Sequence, residues 1–204
     1  MAEEIEVKFL DTNHDEIRAK LLKLGAKKTH ERTLHKRKVY DYIDGSLEKK
    51  GGWVRLRDEG DKITLTYKQN NFDSSGDVIK TLEDEVIVGD YDGTNRLLLS
   101  IGLKEKSTQE NYREVWQINV DDSCVDVMLD EWAFLKPFIE LELVSGVESA
   151  LRVLASQLDL RYQDSVMGGI IPVYMSEYDV TDREIRDYRG PMTFDQPKPP
   201  FLKK

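Results

Sequence analysis

Like charges recur two residues apart in this chain, each time inside a short run that alternates charged and apolar side chains. Glu4 and Glu6, Glu83 and Glu85, and Glu140 and Glu142 are acidic doublets, and Arg55 and Arg57 form a basic one. On a β-strand successive side chains point to opposite faces, so each doublet occupies one face and its apolar neighbours the other. Two like charges side by side repel and must be offset by opposite charges on neighbouring strands or by bound metal. An antiparallel sheet with one wet face tolerates alternation of this kind. A closed barrel with a polar bore also accounts for the sorting by sign and removes exposed sheet edges. Both architectures satisfy the pattern.

The rest of the chain supplies the strands and their cover. The opening run Glu4-Ile5-Glu6-Val7-Lys8 is a strand with Ile5, Val7 and Phe9 on its apolar face. Thr12 with Asp15, or Asn13 with Glu16, can cap a helix carrying Ile17, Leu21 and Leu24 and closed by Gly25. A strand over 33–42 places Lys36, Lys38, Tyr40 and Tyr42 on one face. Trp53 to Arg57 and Lys62 to Lys68 alternate on either side of Asp58-Glu59-Gly60-Asp61, which predicts a hairpin with Thr64, Thr66 and Lys68 together. Residues 70–77 read as a loop, 93–101 as a short helix, and 112–116, 124–130 and 138–143 as strands. Ser145 with Glu148 predicts a capping box for a helix bearing Leu151, Leu154 and Leu158. The sequence after Tyr162 holds Gly168-Gly169 and ends in a Pro-rich, extended tail. Tyr174 and Tyr178, at helical spacing, are candidates to anchor it.

Composition excludes several classes. A formal net charge of −9 argues against a nucleic-acid-binding surface, though not against a local basic pocket for one polyanion. Cys124 is the single cysteine, so no intrachain disulfide or Cys-based zinc site forms, and its thiol is expected to be buried or inert. His14, His30 and His35 lack metal-ligand spacing and are expected at the surface. No signal-like start or transmembrane run is present, so the expected location is the cytoplasm, with no membrane partner.

Glu-x-Glu-x-Lys, Arg-x-Arg, a strand ending in Lys, Glu-x-Glu, an Arg-bearing strand and a closing Glu-x-Glu occur in that order. This succession resembles the CYTH family, the triphosphate tunnel metalloenzymes named for class IV (CyaB-like) adenylyl cyclase and thiamine triphosphatase. Leu129-Asp130-Glu131-Trp132 followed by Phe138-Ile139-Glu140-Leu141-Glu142 is similar to the family's closing segment. The resemblance implies an α+β fold: a closed eight-stranded antiparallel barrel, the triphosphate tunnel, with helices outside. It would occupy residues 1–160, with 161–204 as an extension packing on it.

The resemblance implies the site as well. Lys8, Arg55, Arg57, Lys68 and Arg113 would bind phosphates, since arginine's fork suits phosphoryl oxygens and lysine acts as a point charge. Glu4, Glu6, Glu140 and Glu142, with Asp130 as a further candidate, would hold Mg²⁺ or Mn²⁺ through oxygen. Glu83 and Glu85 would orient the cations or bind a second metal. Glu4, Glu6 and Lys8 would take the catalytic roles. The implied activity is metal-dependent hydrolysis of tripolyphosphate, a nucleoside triphosphate or thiamine triphosphate. Cyclisation of ATP to cyclic AMP and pyrophosphate, or binding without turnover, are the alternatives. The expected partner is the small-molecule triphosphate, with a homodimer left open. Asn111 stands where family members often carry Lys, and Thr81 where some carry Arg; Lys36, Lys38 or Lys80 are the candidates to compensate.

Overall fold

The computed structural model describes residues 2–72 and 78–202, and the side chains of all of these except 2–4 and 78–80. Nine strand segments form its sheet: β1 Ala2–Glu4, β2 Glu6–Phe9, β3 Lys27–Tyr42, β4 Gly52–Asp58, β5 Ile63–Phe72, β6 Val78–Val88, β7 Leu103–Val120, β8 Ser123–Trp132 and β9 Phe138–Ser145. The helices are α1 His14–Lys23, α2 Tyr91–Ser100, α3 Ser149–Gln157, α4 Ile171–Glu177 and α5 Asp182–Asp187. Among the described residues no helix is long and apolar enough to cross a membrane.

The hydrogen-bonded order is β1-β6-β5-β4-β3-β7-β8-β9-β2. The opening strand is interrupted at Ile5, and its pieces pair antiparallel with different neighbours, β1 with β6 and β2 with β9. Counted as one, they give the expected eight antiparallel strands. The expected closure is not met by hydrogen bonds: β1 and β2 end the order, and no ladder joins them among the described residues.

The chain divides into two compact units, Met1–Glu4, Leu34–Asn111 and Arg186–Pro199 in the first, and Ile5–Thr33, Tyr112–Ile185 and Pro200–Lys204 in the second. In the first, Tyr40, Leu56, Leu98 and Leu103 form a core joined by Val54, Ile63, Leu65 and Val88. These are the apolar halves of the alternating runs, and α2 contributes Leu98 to them. Removing such side chains from water, at about 25 cal/mol per Å², is what directs the opposite face to carry the charges. Residues expected as loop at Asn70, Asn71 and Phe72 instead continue β5, paired with Thr81, Lys80 and Val78. The remainder of that loop lies outside the described residues.

In the second unit Val7, Phe9, Val125, Val127, Leu129, Ile139 and Leu141 pack under Ile17 and Leu21 of α1 and Leu151, Leu154 and Ala155 of α3. Asn13 caps α1, its Oδ1 accepting from Asp15 N at 3.0 Å and Glu16 N at 3.3 Å. Gly25 follows with φ +79°, a left-handed conformation glycine adopts without steric cost, and the chain turns into β3. Leu24, expected on the apolar face, is the exposed C-cap. The Ser145–Glu148 box does not form. Glu148 is the N-cap of α3 without a side-chain bond, and Ser123 Oγ accepts from Val147 N at 3.1 Å. Tyr174 does anchor the later chain, donating to Ala133 O at 2.8 Å, and Tyr178 donates to Phe134 O.

Candidate functional site

Strand pairing places the expected residues of the first unit on one face. Trp53, Arg55 and Arg57 of β4 oppose Lys68, Thr66 and Thr64 of β5, and Lys68 and Thr66 oppose Glu83 and Glu85 of β6. Lys68 Nζ lies 3.1 Å from Glu83. Arg55 Nη2 lies 3.4 Å from both Glu83 and Glu85 and donates to Thr66 Oγ1 at 3.2 Å. Thr66 Oγ1 in turn donates to Glu85 at 2.8 Å. Glu83 and Glu85, expected to orient the cations or bind a second metal, lie in direct contact with Arg55 and Lys68. Arg55, Lys68, Thr64 and Thr66 are all buried, so their charges and hydroxyls act in a medium less screening than water.

Glu59, which the sequence presents only as a turn residue, belongs to this face. Its Oε1 accepts from Arg57 Nε at 2.9 Å and Arg57 Nη2 at 2.7 Å, with Thr64 Oγ1 donating at 3.1 Å. Burial pushes the Glu59 carboxyl up, but Arg57 and Lys62 beside it outweigh burial and leave it below the usual carboxylate range. The available signal was its place two residues beyond Arg57. Lys36 and Lys38, the candidate compensating cations, pair with Asp58 and Leu56 and so lie on the opposite face, where Lys38 meets Glu105 at 2.8 Å. The side chains of Lys80 and Glu4 lie outside the described ones.

The second unit carries the other expected group. Glu6 and Lys8 of β2 oppose Glu142 and Glu140 of β9, while Asp126, Met128 and Asp130 of β8 oppose Glu142, Glu140 and Phe138. Glu6, Glu140 and Glu142 each offer a carboxylate oxygen within 4.8 Å of the others. Lys8 Nζ donates to Glu6 Oε1 at 2.6 Å and lies 3.5 Å from Glu140. Burial alone would lower the Lys8 pKa; Glu140 and Glu6 more than reverse this, so the ammonium stays charged throughout the neutral range. Arg113 donates to Asp130 through Nε at 2.8 Å and Nη2 at 2.5 Å, and reaches Glu140 at 3.3 Å. Asp130 thus shares the face but clamps Arg113; it is not one of the three clustered acids.

Sequence reading also missed the segment after Tyr162 as a neighbour of Lys8. Val166 exchanges two backbone hydrogen bonds with Lys8, at 2.9 and 2.8 Å, and Gly168 O accepts from Lys8 Nζ at 2.7 Å. No motif announces a carbonyl contact made 160 residues away. Two of the three histidines are not at the surface as expected: His35 is buried, and buried His14 bonds Phe138 O through Nε2 at 3.0 Å.

Three carboxylates converging within 4.8 Å are hard oxygen donors, which fit a divalent cation such as Mg²⁺ or Mn²⁺. Buried, oriented guanidinium and ammonium groups fit phosphoryl oxygens.

The CYTH domain family matches residues 2–164. No curated protein matches the chain. Several solved structures share its fold. A Vibrio parahaemolyticus protein described as a candidate adenylate cyclase is 17% identical with a TM-score of 0.66, over 85% of this chain and 98% of that one. The PH1012 protein of Pyrococcus horikoshii is 22% identical with a TM-score of 0.60, over 83% and 98%. The candidate adenylyl cyclase HpAC1 of Hippeastrum, described as having a dominant triphosphatase activity, is 16% identical with a TM-score of 0.55, over 86% and 96%.

Proposed function

Since this chain belongs to the CYTH family, we propose that it is a divalent-metal-dependent phosphohydrolase acting on a triphosphate. The substrate would be inorganic tripolyphosphate, a nucleoside triphosphate or thiamine triphosphate, bound in a polar tunnel formed by residues 1–160 in the cytoplasm, with 161–204 packed against it. The observation that carries the reading is the approach of Glu6, Glu140 and Glu142 beside the buried Lys8.

In this reading Glu6, Glu140 and Glu142 hold Mg²⁺ or Mn²⁺, with Glu4 completing the set. Such an ion, when bound, supplies Lewis acidity toward phosphoryl oxygens and toward water. Lys8, its ammonium set beside Glu6 and Glu140, donates to a phosphoryl oxygen and steadies charge developing there. Glu4 or Glu6 orients the attacking water and accepts its proton. Arg55, Arg57, Lys68 and Arg113 bind the chain of phosphates, and the acids paired with them hold their forks in place. Phosphoryl transfer needs little beyond positioning and charge stabilisation, which such groups supply.

Hydrolysis and cyclisation are separated by their products. With ATP and Mg²⁺ or Mn²⁺, hydrolysis gives ADP and phosphate, and tripolyphosphate gives pyrophosphate and phosphate. Cyclic AMP with pyrophosphate as the main products would instead assign the cyclase reaction. Tight tripolyphosphate binding without turnover in either metal would reduce the protein to a binder.

A further inference from the structure

β2 ends the strand order, with β9 along one of its edges. At Lys8 the other edge is met by the chain that follows Tyr162. Lys8 N donates to Val166 O at 2.9 Å and Val166 N to Lys8 O at 2.8 Å, an isolated antiparallel bridge. Two residues further on, Gly168 O accepts from Lys8 Nζ at 2.7 Å. Both ends of this segment are packed on residues that directly follow Lys8. The Tyr162 ring meets Phe9 edge-on, with centroids 6.4 Å apart. Ile170 and Leu10 both pack against the cluster of Trp132, Phe138 and Val173. Gly168 itself holds φ +84°, where an L side chain is strained. A Cβ there would meet nothing closer than Pro172 Cγ at 3.9 Å, so the glycine answers to backbone conformation and not to crowding.

The contacts of the buried Lys8 ammonium differ in kind. Glu6 and Glu140 offset its charge, and both are acids proposed above as metal ligands. The Gly168 carbonyl is neutral, so it orients the ammonium and leaves the charge for a phosphoryl oxygen. An ammonium carries three donors on a flexible four-carbon stem, and what aims it decides where its charge falls.

We propose that Gly168 is a positioning residue for the reaction, its carbonyl holding Lys8 Nζ in place while Lys8 donates to the phosphoryl oxygen. The 165–169 segment is the mount for that carbonyl. The inference rests on the triphosphate reading above and makes this stretch beyond residue 160 part of the site.

The test follows phosphate release from inorganic tripolyphosphate with Mn²⁺, using the full chain. Gly168→Ala adds one methyl group in a loop and strains only the backbone. Losing a hydrogen bond to a charged group predicts a kcat lower by about 10–100-fold, with KM changed less than about threefold. Gly168→Asn is larger, yet Asn takes positive φ more readily than other L residues, and it should recover most of the loss. Nitrogen NMR of the isotope-labelled chain reads the Lys8 ammonium directly, its signal assigned by its loss in Lys8→Arg. Gly168→Ala should move that signal, and Gly168→Asn should return it toward the wild-type position. An unchanged kcat in Gly168→Ala overturns the assignment. So does a lowered kcat with an unmoved Lys8 signal, because the loss then does not pass through Lys8. A Gly168→Asn variant no better than Gly168→Ala overturns it as well, since bulk and not backbone conformation would be responsible. A wild type that turns over no tripolyphosphate with Mn²⁺ or Mg²⁺ removes the triphosphate reading instead, whatever the Lys8 signal does.

Discussion

Arg57 is held in a fixed orientation by its own neighbours. Its Nε and Nη2 both reach Glu59 Oε1, and Thr64 secures the same oxygen. Glu59 holds this position because its backbone N–H bonds Lys62 O at 2.9 Å across the turn, which bends the side chain back over the strand it has just left. A carboxyl held below its usual range stabilises the fold at neutral pH. That stabilisation is complete above the unfolded-state pKa, about 4.3, and is lost as pH falls through the lower folded-state value. Glu59→Gln should therefore cost about 1–3 kcal/mol at pH 7, and the gap to wild type should narrow at pH 3.5. Chemical denaturation at the two pH values checks this, and an equal gap at both would mean that the Arg57 pairing carries none of the effect. The sequence shows Arg55 and Arg57 plainly, since a strand's period of two places them together. Glu59 and Arg37 are hidden because their places on this face depend on how a turn closes and which strand lies alongside, and neither is a property of local spacing.

At the level of elements, what the sequence reveals depends on how locally each feature is decided. The strands of the charge doublets are legible because alternation is local, and so is the cap of α1, because Asn13 and the amides it accepts from are within three residues of each other. The start of α3 looks equally local and is not. Ser123, 24 residues earlier, captures the Val147 N–H, and the Ser145–Glu148 box is displaced. Gly146 makes room for this: a side chain there would meet Ser123 Oγ at 2.2 Å. Asn13→Ala should therefore cost about 1 kcal/mol of stability, the usual loss for an N-cap. Ser145→Ala, at an exposed position without a cap, should change stability by less than about 0.5 kcal/mol. Denaturant titration of the two variants tests the pair, and a loss at Ser145 equal to that at Asn13 would restore the capping box.

Across the whole molecule the charges are unevenly divided, which a net charge of −9 conceals. The polar face of the first unit gathers Arg37, Arg55, Arg57 and Lys68 against Glu59, Glu83 and Glu85, a balance suited to an anion. That of the second gathers Glu6, Glu140, Glu142 and Asp130 against Lys8 and Arg113, a balance suited to a cation. The doublets do not display this asymmetry, since the acidic pair Glu83 and Glu85 shares a unit with Arg55 and Arg57; nor do they show that no ladder joins β1 and β2 among the described residues, because alternation is the same in an open sheet and a closed one. If the acids of the second unit hold a metal as proposed, the ion should stabilise the fold even without substrate. A ligand binding only the folded state at 100 times its Kd adds about 2.7 kcal/mol. At about 2–4 °C per kcal/mol for a chain of this size, Mn²⁺ or Mg²⁺ should raise the unfolding midpoint by about 5–10 °C. Glu142→Gln, which removes one carboxylate of the cluster and leaves the Lys8 contacts to Glu6 and Glu140, should lose more than half of that shift. Thermal unfolding with increasing metal and no phosphate reads this directly. A wild-type midpoint indifferent to both ions, or a Glu142→Gln midpoint that rises as far as the wild type, would show that the three acids do not act as a metal site.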